Sequence, residues 1–208
     1  MQTLRIESVL EPFSDPRPGR LAARIVAFTS TVGLLTSPLR TLDPKSWKRV
    51  IASLREAGLL SASPFIGEPR LKQPSPEAFA NELGQLYETI EDSPIPVKEW
   101  KPMRGVFGDE LLGRLLGISR PSLQRYASGD RATPQDIAER LHVLALIVSD
   151  LAGTYNEFGI RRWFERPRAQ VGGRSPAAML KHGWRPDEEG ARRVRALAAS
   201  LIGGAGAT

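Results

Sequence analysis

The sequence predicts an all-α protein. Three observations predict it. Apolar residues recur at three- and four-residue steps in several separate stretches. Capping residues followed by proline (Asp43-Pro44, Thr133-Pro134, Ser175-Pro176) mark several helix starts. No pair of alternating apolar runs marks a strand pair. With 41% hydrophobic and 25% charged residues in 208, there is apolar material for a core and length for one large or two small domains.

The elements follow in order. Residues 20–35 read as helix. Residues 43–60 form a clearer one: Asp43 caps it, Pro44 suits its first turn, Gly58 ends it, and Trp47, Val50, Ile51 and Leu54 keep helical spacing. Residues 61–76 hold four prolines and read as loop. Residues 76–90 place Phe79, Leu83, Leu86 and Ile90 on one helix face. Two prolines within Ser93–Trp100 break any helix and set a boundary. Beyond it, 107–116 and 119–128 are short helices. Residues 133–152 form the strongest helix, with Thr133 as cap, Pro134 as first helical residue and Asp136 facing the dipole. Ile137, Leu141, Leu144, Val148 and Leu151 line one face, and Gly153 stops it. Helix resumes over 155–164 until Pro167 forbids it, and again over 186–202. The small-residue tail 203–208 is expected to be disordered alone. The expected parts are thus a helical region 1–99 with no recognisable motif, a segment 100–153, and a segment 154–208.

Composition narrows the function classes. The absence of cysteine excludes disulfides, thiolate metal sites and thiol catalysis. His142 and His182 are the only imidazoles, and no ligand-like spacing surrounds them, so no metal and no cofactor are expected. The N-terminus has no basic start followed by an apolar run. Residues 25–35, the most apolar stretch, are too short to span a bilayer. A cytoplasmic location without membrane contact follows by elimination. Net charge is +6, and it is unevenly placed: zero over 1–99, +1 over 100–154 and +5 over 155–208. A basic excess favours polyanions or an acidic partner.

The region from Trp100 to Ser128 carries a helix-turn-helix pattern. Close packing of two steeply crossed helices needs a small residue in the first helix and a tight turn. Gly113 and Gly117 supply these, and Leu112, Leu116, Ile118, Leu123 and Tyr126 take the inward positions. Ser119 caps the second helix and Pro121 falls in its first turn. The outward face then shows Arg120, Pro121, Gln124, Arg125 and Ser128. Arginine pairs with guanine and glutamine with adenine in the major groove. Arg131, in the following turn, can hold a phosphate. The expected DNA-contact set is Ser119, Arg120, Pro121, Gln124, Arg125, Ser128 and Arg131. A solvated face on an ordinary helical pair is the bland alternative.

Further on stand Trp163-Phe164, Pro167 and Gly172-Gly173-Arg174-Ser175-Pro176. With the upstream pattern, residues 100–202 resemble the Xre-type antitoxins of RES–Xre toxin–antitoxin pairs, the MbcA/ParS/Xre family. The family pattern has tryptophan followed by Leu or Phe, proline three residues after the tryptophan, then a small-Gly-x-Ser/Thr-Pro turn; here the first spacing is four. The resemblance implies no catalysis. It implies a repressor of its own operon whose C-terminal part blocks the active site of a RES-type toxin, one that consumes NAD or transfers ADP-ribose from it. Toxin contacts are then expected from Arg161, Arg162, Trp163, Arg166, Arg174 and Trp184, since arginine and tryptophan are common interface anchors. Core packing is the second reading of Trp163 and Phe164. A palindromic operator asks for a two-fold protein, so a homodimer is expected. A stand-alone transcriptional regulator with no toxin is the alternative.

Three signals are set aside. Residues 172–175 lack phosphate-loop spacing. Asp187-Glu188-Glu189 suits a helix start rather than a metal. His142, beside an apolar stripe, reads as a satisfied half-buried histidine rather than a base, because no supported nucleophile is visible.

Overall fold

The computed structural model describes residues 6–35, 37–60 and 75–202. The readings of 61–74 as loop and of 203–208 as a disordered tail lie outside the described residues, as do residues 1–5 of the N-terminus. The described chain is predominantly helical, with nine α-helices and a single two-stranded pair. Among the described residues no helix is long and apolar enough to cross a membrane. The chain divides into two compact units, residues 2–93 and 94–208.

The N-terminal unit holds β1 (Ser8–Val9), α1 (Pro16–Thr31), β2 (Thr41–Leu42), α2 (Pro44–Glu56) and α3 (Pro76–Glu91). α3 packs along α1, and α2 packs on α1 and β2. Phe13 sits at the centre, its ring 5.3 Å from Trp47 and 5.4 Å from Phe79. Asp43 begins α2 through a reciprocal capping box: it accepts from the Ser46 amide at 2.7 Å while Ser46 Oγ accepts from the Asp43 amide at 3.0 Å. These bonds hold the Asp43 carboxyl below its ordinary pKa. The strand pair was not expected. β1 and β2 run parallel for two residues each, with Ser8 opposite Thr41. Runs that short leave no periodicity to read. α1 begins at Pro16, four residues before the expected start, because Pro16 and Pro18 fall in the first turn, where no backbone donor is needed.

The second unit is built from α4 (Pro96–Leu116), α5 (Arg120–Ser128), α6 (Gln135–Ala152), α7 (Glu157–Glu165), a 3₁₀ turn (Ala169–Val171), α8 (Pro176–Met179) and α9 (Glu189–Ser200). α6 is its spine, buried along nearly its whole length, with α4 and α9 packed against it. α7 packs on α4, where Phe107 meets Phe164 edge-on at 5.0 Å. The segments expected as separate parts, 100–153 and 154–208, therefore share one core.

Two local expectations change. Helix begins at Pro96, not at 107, because Pro96 occupies the first turn. It then breaks at Gly108, whose φ of 70° and ψ of 166° split α4 into limbs 96–107 and 109–116. Secondly, Thr133 does not cap α6. Pro134 holds the N-cap position without a side-chain bond, and the Thr133 hydroxyl instead accepts from Trp100 Nε1 at 2.9 Å.

Candidate nucleic-acid interface

The limb 109–116 and α5 are joined by Gly117, Ile118 and Ser119. Gly117 leaves the first helix in the left-handed conformation, φ 70°, which glycine adopts without a Cβ penalty. The helices then approach closely at Gly113, where a Cβ would lie 3.1 Å from the Ile118 carbonyl oxygen and 3.9 Å from Leu123. Leu112, Leu116 and Leu123 are buried beneath the pair. Ser119 Oγ accepts from the Ser122 amide at 3.4 Å and opens α5.

Two long-range bonds, from Trp184 and Arg140, tie this pair to the scaffold, and one local bond closes the turn. The last carbonyls of a helix have no partner within it. Here Leu115 O accepts from Trp184 Nε1 at 2.8 Å, Leu116 O accepts from Arg140 Nη1 at 2.5 Å, and Gly113 O accepts from the Ile118 amide at 2.9 Å. Arg140 also pairs with Asp136 one turn earlier on α6. At the other end, Arg104 grips Asp109 across the Gly108 break through two bonds of 2.8 and 3.0 Å. The Arg104 hydrogen bond, with charge from Arg104 and Arg120, holds the Asp109 carboxyl below its ordinary pKa.

Arg120, Pro121, Gln124 and Arg125 are exposed on α5, while Leu123 and Tyr126 are buried. α5 contains no acidic residue. Arg131 is exposed with its guanidinium 5.7 Å above the Tyr126 ring. Tyr126 in turn stacks on Trp100, centroids 6.3 Å apart. That contact limits where Arg131 can reach. Two members of the expected set have local work. The Ser119 hydroxyl is the cap, and the Ser128 hydroxyl donates to Asp130 Oδ2 at 2.7 Å.

The C-terminal set divides. Arg162, Arg166 and Arg174 are exposed and Arg161 is half-buried. Trp163 and Trp184 are interior, 1% and 2% exposed, and so cannot be surface anchors in this conformation. Arg168 lies over the Trp163 ring at 4.9 Å and covers it. Ser175 Oγ accepts from the Ala178 amide at 3.2 Å, a helix cap.

Sequence reading missed the buried pair Glu99–His142. Glu99 is 0% and His142 1% exposed, with Oε1 2.5 Å from Nδ1. No local signal links residues so far apart in the chain. His142 is fully buried rather than half-buried. The Asp187 cluster spends its charge on arginines, Asp187 on Arg185 at 3.1 Å and Glu189 on Arg193 at 2.6 Å. Among the described residues no three His, Cys, Asp or Glu side chains gather as metal ligands. No family model, curated protein or solved structure matches the chain.

Proposed function

We propose that the second unit carries a helix-turn-helix that binds duplex DNA, and that the chain is a transcriptional repressor. One observation carries the reading. α5 presents Arg120, Gln124 and Arg125 together on an exposed, acid-free face, on a helix held to its partner by the Gly113 approach. A helix so presented fits the major groove, and these side chains match guanine and adenine edges. Arg131 serves as a phosphate contact beside them.

The resemblance to the Xre antitoxins extends the reading. On it, the chain represses its own operon as a homodimer and neutralises a RES-type toxin that consumes NAD or transfers ADP-ribose. The exposed arginines Arg162, Arg166 and Arg174 are then the toxin-facing groups, and the two tryptophans support them from inside. A regulator with no toxin partner is the second reading. It is favoured by the burial of both tryptophans, which removes the expected apolar anchors from the surface.

The test is binding of the full chain to the DNA upstream of its own gene, followed by fluorescence anisotropy. Arg125→Ala is expected to weaken specific binding by about 1–3 kcal/mol and to relax base preference at one position. Unchanged affinity and preference would remove α5 from the interface. Co-purification with the neighbouring gene product, and loss of that product's NAD-consuming activity in the complex, separates the antitoxin from the plain regulator.

A further inference from the structure

Beyond α8 the chain makes a tight turn from Lys181 to Trp184. The Trp184 amide donates to the Lys181 carbonyl at 3.0 Å, and His182 and Gly183 form the corner. Trp184 Nε1, donating to the Leu115 carbonyl at 2.8 Å, pins this turn to the end of limb 109–116. His182 therefore rests on Gly117. A Cβ built on that glycine would lie 3.3 Å from His182 Cδ2, 3.3 Å from the Gly183 amide nitrogen and 3.4 Å from His182 Nε2. That edge of the imidazole faces the residue that joins the two helices, and Nδ1 is on the other side of the ring. Lys181 and His182 are both exposed, and among the described residues neither side chain has a hydrogen-bond or ion-pair partner. Residues 117–129 contain no acidic side chain, and neither do residues 166–186. The two acid-free stretches meet where His182 covers Gly117. On the limb before it, Asp109 is held by Arg104, and Glu110 stands exposed about two turns back from Gly117.

Resting on the reading of α5 as a recognition helix, we infer that Lys181 and His182 are phosphate contacts of the same DNA site, beside the end of α5 that enters the groove. Two features point to DNA at this turn. The first is continuity with α5. The N-terminal residues of a recognition helix reach base edges, and contacts around them go to the backbone. The chain enters α5 through Gly117, Ile118 and Ser119, so a side chain resting on Gly117 stands beside that entering end. The major groove is about 12 Å wide, and phosphates border it. The second is residue type. Lysine, unlike arginine, is depleted at protein–protein interfaces, and the turn exposes no large apolar side chain to anchor a protein. Lysine holds a phosphate as a point charge, and an imidazole N–H can donate to a phosphate oxygen. Trp184, buried beneath, fixes the place of both. The C-terminal segment thereby takes a direct share in the DNA site, distinct from the arginines assigned to a toxin.

The test uses the full chain and two duplexes, the DNA upstream of its own gene and a random sequence of equal length. Anisotropy titrations over a range of NaCl give the slope of log K against log salt. Lys181→Gln is expected to lower the magnitude of that slope by about 0.9, the share of one phosphate, on both duplexes and with the preference between them unchanged. Lys181→Arg is expected to keep the wild-type slope. His182→Phe keeps a ring against Gly117 and removes its N–H; it is expected to weaken binding to both duplexes by the same factor, about threefold or more. A wild-type slope in Lys181→Gln together with wild-type affinity in His182→Phe overturns the inference and leaves α5 as the DNA contact. Loss of sequence preference in either variant also overturns it, because a backbone contact carries no sequence information. The variant Arg120→Ala/Gln124→Ala/Arg125→Ala tests α5 separately. Wild-type preference in that variant overturns the reading of α5, and a lowered slope in Lys181→Gln would still place the turn on DNA. Failure of the wild-type chain to bind any duplex overturns both. Should Lys181→Gln lose a co-purifying neighbouring gene product while keeping its slope, the turn is a protein surface and the inference is wrong.

Discussion

Trp163 and Trp184 are alike in sequence, each next to an arginine, yet the chain uses their indoles differently. Trp184 Nε1 donates to the Leu115 carbonyl at 2.8 Å, across 69 residues of chain. Trp163 Nε1 is buried with no hydrogen-bond partner among the described residues. Replacing each by phenylalanine removes an N–H and some ring volume. In Trp184→Phe the buried Leu115 carbonyl also loses its donor, which costs about 1–3 kcal/mol. In Trp163→Phe no partner is orphaned, so only the packing loss remains. Urea denaturation is therefore expected to show Trp184→Phe as the less stable of the two. The reverse order would mean that the Leu115 carbonyl finds another donor. The same bond also holds the helix that faces α5, so Trp184→Phe is expected to weaken the presentation of α5 without touching its exposed side chains.

At the scale of elements, what was legible in the sequence was what is local. Asp43, Ser75, Ser119 and Ser175 each cap a helix by accepting from the amide three residues on. A reading that compares positions three apart can find them. Thr133 has the same local pattern and fails, because Trp100, 33 residues earlier, takes its hydroxyl. The bonds that position the candidate interface span 24 and 69 residues, and the buried Glu99–His142 pair spans 43. None leaves a periodic trace. The break in α4 was also invisible, since a glycine within apolar spacing reads as a tolerated helix residue. At φ 70° and ψ 166°, Gly108 occupies backbone space that is essentially restricted to glycine. A Cβ there would meet nothing within 4 Å, so the cost of Gly108→Ala is conformational alone. That substitution is expected to destabilise the second unit by about 1–3 kcal/mol in urea denaturation. A gain in stability would mean that 96–116 straightens into one helix when alanine removes the alternative.

For the whole molecule, the partition into two cores decides what can be cut. Residues 2–93 bury Phe13, Trp47 and Phe79 among themselves, and residues 94–202 bury Trp163, Phe164 and Trp184 around α6. A unit with its own core can in principle fold alone. The sequence suggested a further division after residue 153, because α6 ends there at Gly153 and a basic segment follows. The contacts argue otherwise. Asp150 on α6, buried, pairs with Arg195 on α9 at 2.6 Å; Trp184 holds the end of limb 109–116; and α9 adds Ala191, Val194 and Ala198 to the core. Removing residues 154–208 would expose the apolar side of α6 to water and take away the Arg195 partner of Asp150, and the lost apolar burial is a large part of the stability of a domain. Residues 94–208 expressed alone are therefore expected to unfold cooperatively and to keep the sequence preference of the full chain. Residues 94–153 are expected to give no cooperative transition and no specific binding. Both fragments can be followed by thermal circular dichroism and by anisotropy on the same duplex. Cooperative folding of the shorter fragment would show that the pair formed by limb 109–116 and α5 belongs to an independent domain and that the C-terminal segment is an addition to it. Its failure, beside a folded 94–208, would tie the state of the C-terminal segment to the geometry of α5, so that a partner bound at Arg162, Arg166 or Arg174 could act on DNA affinity through α9 and Trp184.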